Sequence, residues 1–152
     1  MKIEKVAVIG AGVMGSGIAA HVANAGIPVT LLDIVSKKSD NRNIIAESAV
    51  KKMLNPVKMG SPTPLMHSEN AKLISTGNID DHLSKIKDAD LIVEVVLEKL
   101  EIKQDVFKKI DKVRKKGSIV ASNTSTIPRK HLVEGMSKTF SSDFIITHFF
   151  NP

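Results

Sequence analysis

Gly10-Ala11-Gly12-Val13-Met14-Gly15 follows the apolar run Val6 to Ile9 and opens an Ala-rich stretch, and Asp33 closes the next apolar run. The G-x-G-x-x-G pattern is weak alone, but here it has a strand before it, a helix after it and an acidic residue at the end of a second strand. Gly10 permits a tight turn, Gly12 lets the backbone approach a pyrophosphate, and Gly15 allows helix and strand to pack closely. The free N–H groups of the helix start, including that of Met14, would meet the diphosphate. The bland alternative is a glycine-rich turn with no ligand, and the β-α-β context weighs against it. The Asp33 carboxylate can accept hydrogen bonds from both ribose hydroxyls and would repel a 2′-phosphate, so NAD is favoured over NADP. Lys37 and Lys38 lie nearby and could soften that preference; the plainer alternative makes Asp33 a loop N-cap.

Glu98, Ser125 and His148 form a second set. Each falls at or just past the end of an apolar run, as Gly10 and Asp33 do. In an open parallel sheet, ligands bind at the carboxyl edge, so these separated polar residues converge on one crevice. His148 sits beside Phe149 and Phe150, in apolar surroundings at that edge, and an imidazole can serve as a general base near neutral pH. A lone buried histidine is otherwise a core residue with its hydrogen bonds satisfied. His21, His67, His82 and His131 fall in helices or polar loops and read as surface residues.

The elements that must position these residues alternate. Val6–Ile9, Val29–Leu32 and Leu91–Val96 read as strands buried on both faces, with Ser118–Ala121 and Phe144–Phe149 completing the series and Leu73–Ser75 a weaker member. Helices are expected from Ile18 to Ala25, closed by Gly26, and from Leu100 to about Lys115, where Ile102, Val106, Phe107, Ile110 and Val113 share one face. A short helix is expected from Ile127 to Met136. Residues 34–72 are polar and Lys-rich, with one helix near Asn43 to Leu54 and a loop holding Pro56, Gly60, Pro62 and Pro64. That is long for a crossover and predicts a helical excursion from the sheet. The whole reads as an α/β, Rossmann-type, doubly wound and mainly parallel sheet filling residues 1–152 as one domain.

Composition narrows the classes. The 152 residues contain no cysteine, which removes disulfides, thiolate nucleophiles and cysteine metal sites. Aromatic residues are 3% of the chain, too few for base-stacking platforms. The formal charge of +6 favours anionic partners without choosing among them. The lysines of 108–116 read as the solvated face of a helix, with no element that would recognise nucleic acid. No run approaches the length of a membrane span, and nothing at the start reads as a signal peptide, so a cytoplasmic location is the expectation.

Val8-Ile9-Gly10-Ala11-Gly12-Val13-Met14-Gly15-Ser16-Gly17-Ile18-Ala19 resembles the nucleotide-binding start of the L-3-hydroxyacyl-CoA dehydrogenases. Ala89 to Glu94 with Glu98 is similar to the family's fourth-strand segment. Ala121-Ser122-Asn123-Thr124-Ser125-Thr126-Ile127-Pro128 and His148-Phe149-Phe150-Asn151-Pro152 are similar to its two most distinctive motifs. Together they span the chain in order, and Thr126-Ile127-Pro128 leans toward the dehydrogenase part of multifunctional fatty-acid oxidation proteins. The resemblance implies reversible oxidation of (3S)-3-hydroxyacyl-CoA to 3-oxoacyl-CoA in fatty-acid β-oxidation. His148 would be the base for the C3 hydroxyl proton and Ser125 would hold the C3 oxygen. Met14, Asp33, the backbone of Val96 and Leu97, Glu98, Lys103, Ser125 and Asn151 would line the NAD site. The family continues past Pro152 into a helical domain that supplies the carboxylate orienting the histidine, much of the acyl pocket and the dimer contact. An imidazole without that carboxylate loses tautomer control, so this chain is expected to be inactive alone. Glu101 stands where the family is often basic, and the Thr126–Thr147 connection is slightly long. The competing expectations are a binding module that pairs with another chain, and a β-hydroxyacid or phosphogluconate type of dehydrogenase sharing the Gly-rich start.

Overall fold

A computed structural model describes residues 2–55 and 64–150. Six strands form one parallel sheet: β1 (Val6–Ile9), β2 (Val29–Asp33), β3 (Ile74–Asn78), β4 (Leu91–Glu94), β5 (Ile119–Ser122) and β6 (Phe144–Ile146). Their spatial order is β3-β2-β1-β4-β5-β6, so the order reverses between β1 and β4. Parallel pairing needs crossovers, and right-handed ones place helices on both faces. The helices are α1 (Val13–Asn24), α2 (Ile44–Leu54), α3 (Ile79–His82), α4 (Leu100–Val113), α5 (Arg129–Leu132) and α6 (Lys138–Asp143). Register is tight across the middle of the sheet, with Ile9 between Leu32 and Glu94.

Each face has its own core. Val6 and Val8 point to one side, under α1 and α2, with Ala19, Ala23, Ala46 and Met53. Ala7 and Ile9 point to the other, with Ile92, Phe107, Ile110 and Phe144. This is why β1, at the middle of the sheet, is apolar throughout rather than alternating. Small residues on α1 bring it close to the sheet, whereas the opposite core is filled by three phenylalanines. Phe107, Phe140 and Phe144 pack with ring centroids 5.1–5.7 Å apart. The few aromatic residues are therefore used mainly as core.

Several expected boundaries move, each for a visible reason. The helical excursion after β2 exists as α2, but it lies down on the sheet: Ala46, Ala49 and Met53 are buried in the α1-side core. Pro56, Gly60 and Pro62 fall outside the described residues. β3 runs to Asn78 although Ser75-Thr76-Gly77-Asn78 lacks an apolar pattern, because an edge strand is set by its partner. It pairs residue for residue with Val29 to Asp33. α1 starts earlier than expected, at Val13. The helix expected over Ile127–Met136 shrinks to α5, and Gly135 turns the chain at φ +73. A helix that the sequence reading missed, α6, then begins where the Ser137 hydroxyl caps the Phe140 N–H at 3.1 Å. A serine N-cap before a helical stretch was the available signal.

Candidate dinucleotide crevice

The glycine loop is built by close approach. Gly10 has φ +110, and a Cβ there would lie 2.4 Å from the Val95 carbonyl oxygen. At Gly15 a Cβ would lie 1.8 Å from the carbonyl oxygen of Gly10. These two glycines seat the turn and α1 against β1 and β4. Gly12 differs: a Cβ there would meet nothing within 4 Å. Its side is open, at the N-cap of α1, where no side chain caps the helix. The first-turn N–H groups are therefore available to an anion, with the positive end of the helix dipole behind them. Met14 lies in that first turn and is half-buried.

Asp33 closes the loop from the β2 side. Its Oδ2 accepts the Ala11 N–H at 2.5 Å, and its Oδ1 accepts the Ile34 N–H at 2.6 Å. Each carboxylate oxygen keeps acceptor capacity beyond one bond, so Asp33 can fix the loop and still receive ribose hydroxyls. Beside it, Ile34, Ile79, Ile102 and Val106 line a hollow of about 290 Å³ with Asp80, Glu101 and Asp105 at its edge. Ile102 therefore leaves the core face expected for it, is 37% exposed, and walls this hollow instead.

The β4–β5 side is made of charged side chains. Lys103, on α4, has a side chain only 1% exposed. Its ammonium donates to Glu94 Oε1 at 2.8 Å and lies 3.1 Å from Glu98 Oε2. The buried Glu94 also accepts the Val96 N–H at 2.7 Å and the Ser122 hydroxyl at 2.5 Å. Glu98 Oε1 accepts the Thr124 hydroxyl, the Ser125 N–H at 3.2 Å, and the Thr126 N–H and hydroxyl at 3.3 and 3.1 Å. Burial acts to raise the Glu98 carboxyl, but the Thr124 hydroxyl and the Lys103 ammonium outweigh it and hold it at about 2.

Glu98, Ser125 and His148 all follow the carboxyl ends of β4, β5 and β6, and Glu98 touches the Ser125 segment directly. Ser125 is exposed, and its hydroxyl has no hydrogen-bond partner among the described residues.

Other expectations need correction. Lys103 does not line the crevice, because two carboxylates hold its ammonium beneath it. The Val96 N–H and carbonyl turn inward, toward Glu94 and Lys103, and β4 ends at Glu94 because that side chain captures the amide. Leu97 is 69% exposed. His148 is exposed rather than buried, and its ring rests on Phe150 at a centroid distance of 4.7 Å. β6 stops at Ile146 because its partner strand ends at Ser122. The Thr147 N–H takes the Ser122 carbonyl, and the Phe149 N–H turns to the Asn123 side chain at 2.8 Å. Among the described residues no carboxylate pairs with His148. Asn151 lies outside the described residues.

Of the remaining histidines, His21, His67 and His131 are exposed. His82 is partly buried and accepts the Asn78 N–H at 3.3 Å. Glu94, Ser122 and Asn123 were not singled out as site residues, since a carboxylate inside a strand gives no local sign of its partners. A second cavity of about 900 Å³ opens between α1 and α2, where Val13, Met14, Ile44 and Met53 meet Phe149 and Phe150, with Lys52 and His21 also lining it.

Residues 5–152 match the family model of the 3-hydroxyacyl-CoA dehydrogenase NAD-binding domain. A Deinococcus radiodurans protein described as a probable 3-hydroxyacyl-CoA dehydrogenase is 48% identical over 152 residues, covering 100% of this chain and 43% of the relative. A Bacillus subtilis protein of the same description is 48% identical over 164 residues, covering 99% of this chain and 20% of the relative. The chain thus spans less than half the length of these relatives. Among solved structures, 3-hydroxybutyryl-CoA dehydrogenase from Escherichia coli superposes with a TM-score of 0.78 at 27% identity, over 100% of this chain and 30% of that one.

Proposed function

The chain belongs to the 3-hydroxyacyl-CoA dehydrogenase family by its NAD-binding domain, and we propose that it forms the cofactor half of an enzyme interconverting (3S)-3-hydroxyacyl-CoA and 3-oxoacyl-CoA. What carries the reading is the Gly12 opening at the uncapped start of α1, with Asp33 hydrogen-bonded to Ala11 at its side. That arrangement fits a dinucleotide, because it offers amides to a diphosphate and a carboxylate to a ribose within one turn. NAD supplies a hydride acceptor when bound. His148 takes the C3 hydroxyl proton at a ring nitrogen, and the Ser125 hydroxyl, unpartnered at the crevice, orients the C3 oxygen. Gly10, Gly12, Met14, Gly15 and Asp33 bind and align the cofactor's adenosine and diphosphate. Exposed Leu97 extends the same line, and Val96, Glu98 and Lys103 hold its floor. The α1–α2 cavity suits an acyl-pantetheine arm, being apolar with Lys52 and His21 available for phosphates.

Isothermal titration with NADH and NADPH tests the cofactor half. Saturable NADH binding, with NADPH weaker and the gap narrowed in Asp33→Asn, is the expected result. NADPH binding as tightly as NADH would sink the assignment of Asp33.

A second reading is favoured by His148 itself, which is exposed and lacks an orienting carboxylate among the described residues. In it, residues 1–152 act as a nucleotide-binding module that pairs with another chain, and a helical domain or partner chain is needed for turnover. Acetoacetyl-CoA-dependent NADH oxidation by the chain alone should then equal that of His148→Ala, and rise above it only when the partner is supplied. Among the described residues no helix is long and apolar enough to cross a membrane. A cytoplasmic site of action belongs to the same proposal and is read by fractionation.

A further inference from the structure

The charge cluster under the β4–β5 edge has a definite sign. Glu94 and Glu98 bring two carboxylates to the one ammonium of Lys103, leaving one negative charge uncompensated. Which charge the crevice meets is decided by depth. The side chains of Glu94 and Lys103 are 0% and 1% exposed, whereas that of Glu98 is 37% exposed. The ammonium is sealed below, and the surface member is a carboxylate.

Position supplies the other half. Asp33 on β2 takes the adenosine end, and the start of α1 takes the diphosphate. The remainder of a dinucleotide must then cross the reversal between β1 and β4 and run over β4 and β5. That path passes the carboxyl ends of these strands, where Glu98 is bonded to the Thr124–Thr126 segment. The oxidised nicotinamide ring carries a positive charge that the reduced ring lacks, and the rest of the cofactor is shared by both forms.

Resting on the NAD reading, we propose that Glu98 is a specificity-determining charge that favours the oxidised cofactor over the reduced one. Its carboxyl is held at about 2, so the charge is present throughout the neutral range. Lys103 and the two threonines fix it in place, and a fixed charge in a partly desolvated crevice acts more strongly than a mobile one in water. Glu94 serves it indirectly, as a positioning residue that anchors Lys103 and Ser122.

The test is the Glu98→Gln variant of the 152-residue chain, which removes the charge and keeps an acceptor oxygen for Thr124 and Thr126. Dissociation constants are measured for NAD⁺, NADH and ADP-ribose at low and high salt. NAD⁺ affinity should fall about fivefold relative to NADH, the size of one screened unit charge, with ADP-ribose unchanged. In the parent chain, added salt should erode the NAD⁺ preference. Glu98→Asp, which keeps the charge, should retain the parent ratio even if all three ligands weaken. A purely structural role would weaken all three ligands equally in Glu98→Gln. That outcome, or an NAD⁺ to NADH ratio unchanged within about twofold, overturns the proposal while leaving the cofactor reading intact. Failure of the folded parent chain to bind ADP-ribose would overturn both.

Discussion

The two halves of the sheet build one crevice by opposite means. On the β1–β2 side, the site consists of backbone amides, absent side chains and one carboxylate whose partners lie on its own strand end and the adjacent loop. On the β4–β5 side, it consists of a lysine and two glutamates drawn from a strand, a loop and a helix, with Ser122, Thr124, Ser125 and Thr126 bonded to the two carboxylates. The first design depends on steric room and is local in sequence. The second depends on buried charge balance, and its parts meet only when β4, α4 and β5 are assembled. A backbone-made site should tolerate little added volume but much change elsewhere, whereas a charge-made site should fail when any one partner is removed.

The largest effect should come from breaking that balance. Lys103→Met strands the buried Glu94 carboxylate, and a loss of about 3–5 kcal/mol in denaturant unfolding is expected. Adding Glu94→Gln to the same chain should restore much of it, since the uncompensated buried charge is then gone. A double variant no more stable than Lys103→Met would show that packing, not charge, governs this side.

Next in size is Gly15→Ala, whose Cβ would meet the Gly10 carbonyl oxygen at 1.8 Å. The neighbour is backbone and cannot swing aside, so a loss of about 1–3 kcal/mol is expected, read from the same unfolding curves. Gly12→Ala sharpens the contrast. Its Cβ enters open space at an ordinary φ of −67, so thermal stability should stay close to the parent. NADH affinity should nevertheless fall by roughly tenfold or more, about 1.4 kcal/mol or above, because the methyl group occupies the diphosphate's approach. Equal losses of stability in Gly12→Ala and Gly15→Ala would break the distinction drawn between them.

The smallest effect is in acid. The Glu98 carboxyl lies at about 2 in the folded chain, against an ordinary 4.5. Its contribution to stability is therefore fully present above about pH 4.5 and is lost as pH falls from there toward 2. Asp81, held at about 2 by Arg42 and Asn78, and Asp90, held at about 2 by Lys115 and the Glu4 and Lys5 amides, act in a narrower window that starts at an ordinary 3.8. Far-UV ellipticity followed through an acid titration should show a shallower loss in Glu98→Gln than in the parent chain.

Legibility in the sequence follows the same division. β1, β2 and β4 were readable because a parallel strand buried on both faces is mostly apolar, as Val6–Ile9 is throughout and Val29–Leu32 is apart from Thr30. The end of β3 was not, since Ser75 to Asn78 takes its conformation from β2. The surroundings of His148 were misjudged for a related reason. Phe149 and Phe150 look like core residues by type, yet they are 40% and 81% exposed and face the α1–α2 cavity. Likewise Lys103 stands on the apolar face of an amphipathic helix, and nothing local to α4 announces two carboxylates waiting across the gap.

By itself, then, the sequence determined the alternating elements, the glycine turn and the acidic end of β2. Each of these follows from backbone geometry and hydrophobic periodicity within about thirty residues. Tertiary structure alone decided that α2 lies on the sheet, that Lys103 is buried with Glu94, and that Glu98 is the more exposed of its two carboxylate partners. The physical reason is range. Steric and hydrogen-bonding rules of a turn act between chain neighbours, whereas the cost of burying an ion depends on every group brought within a few ångströms of it.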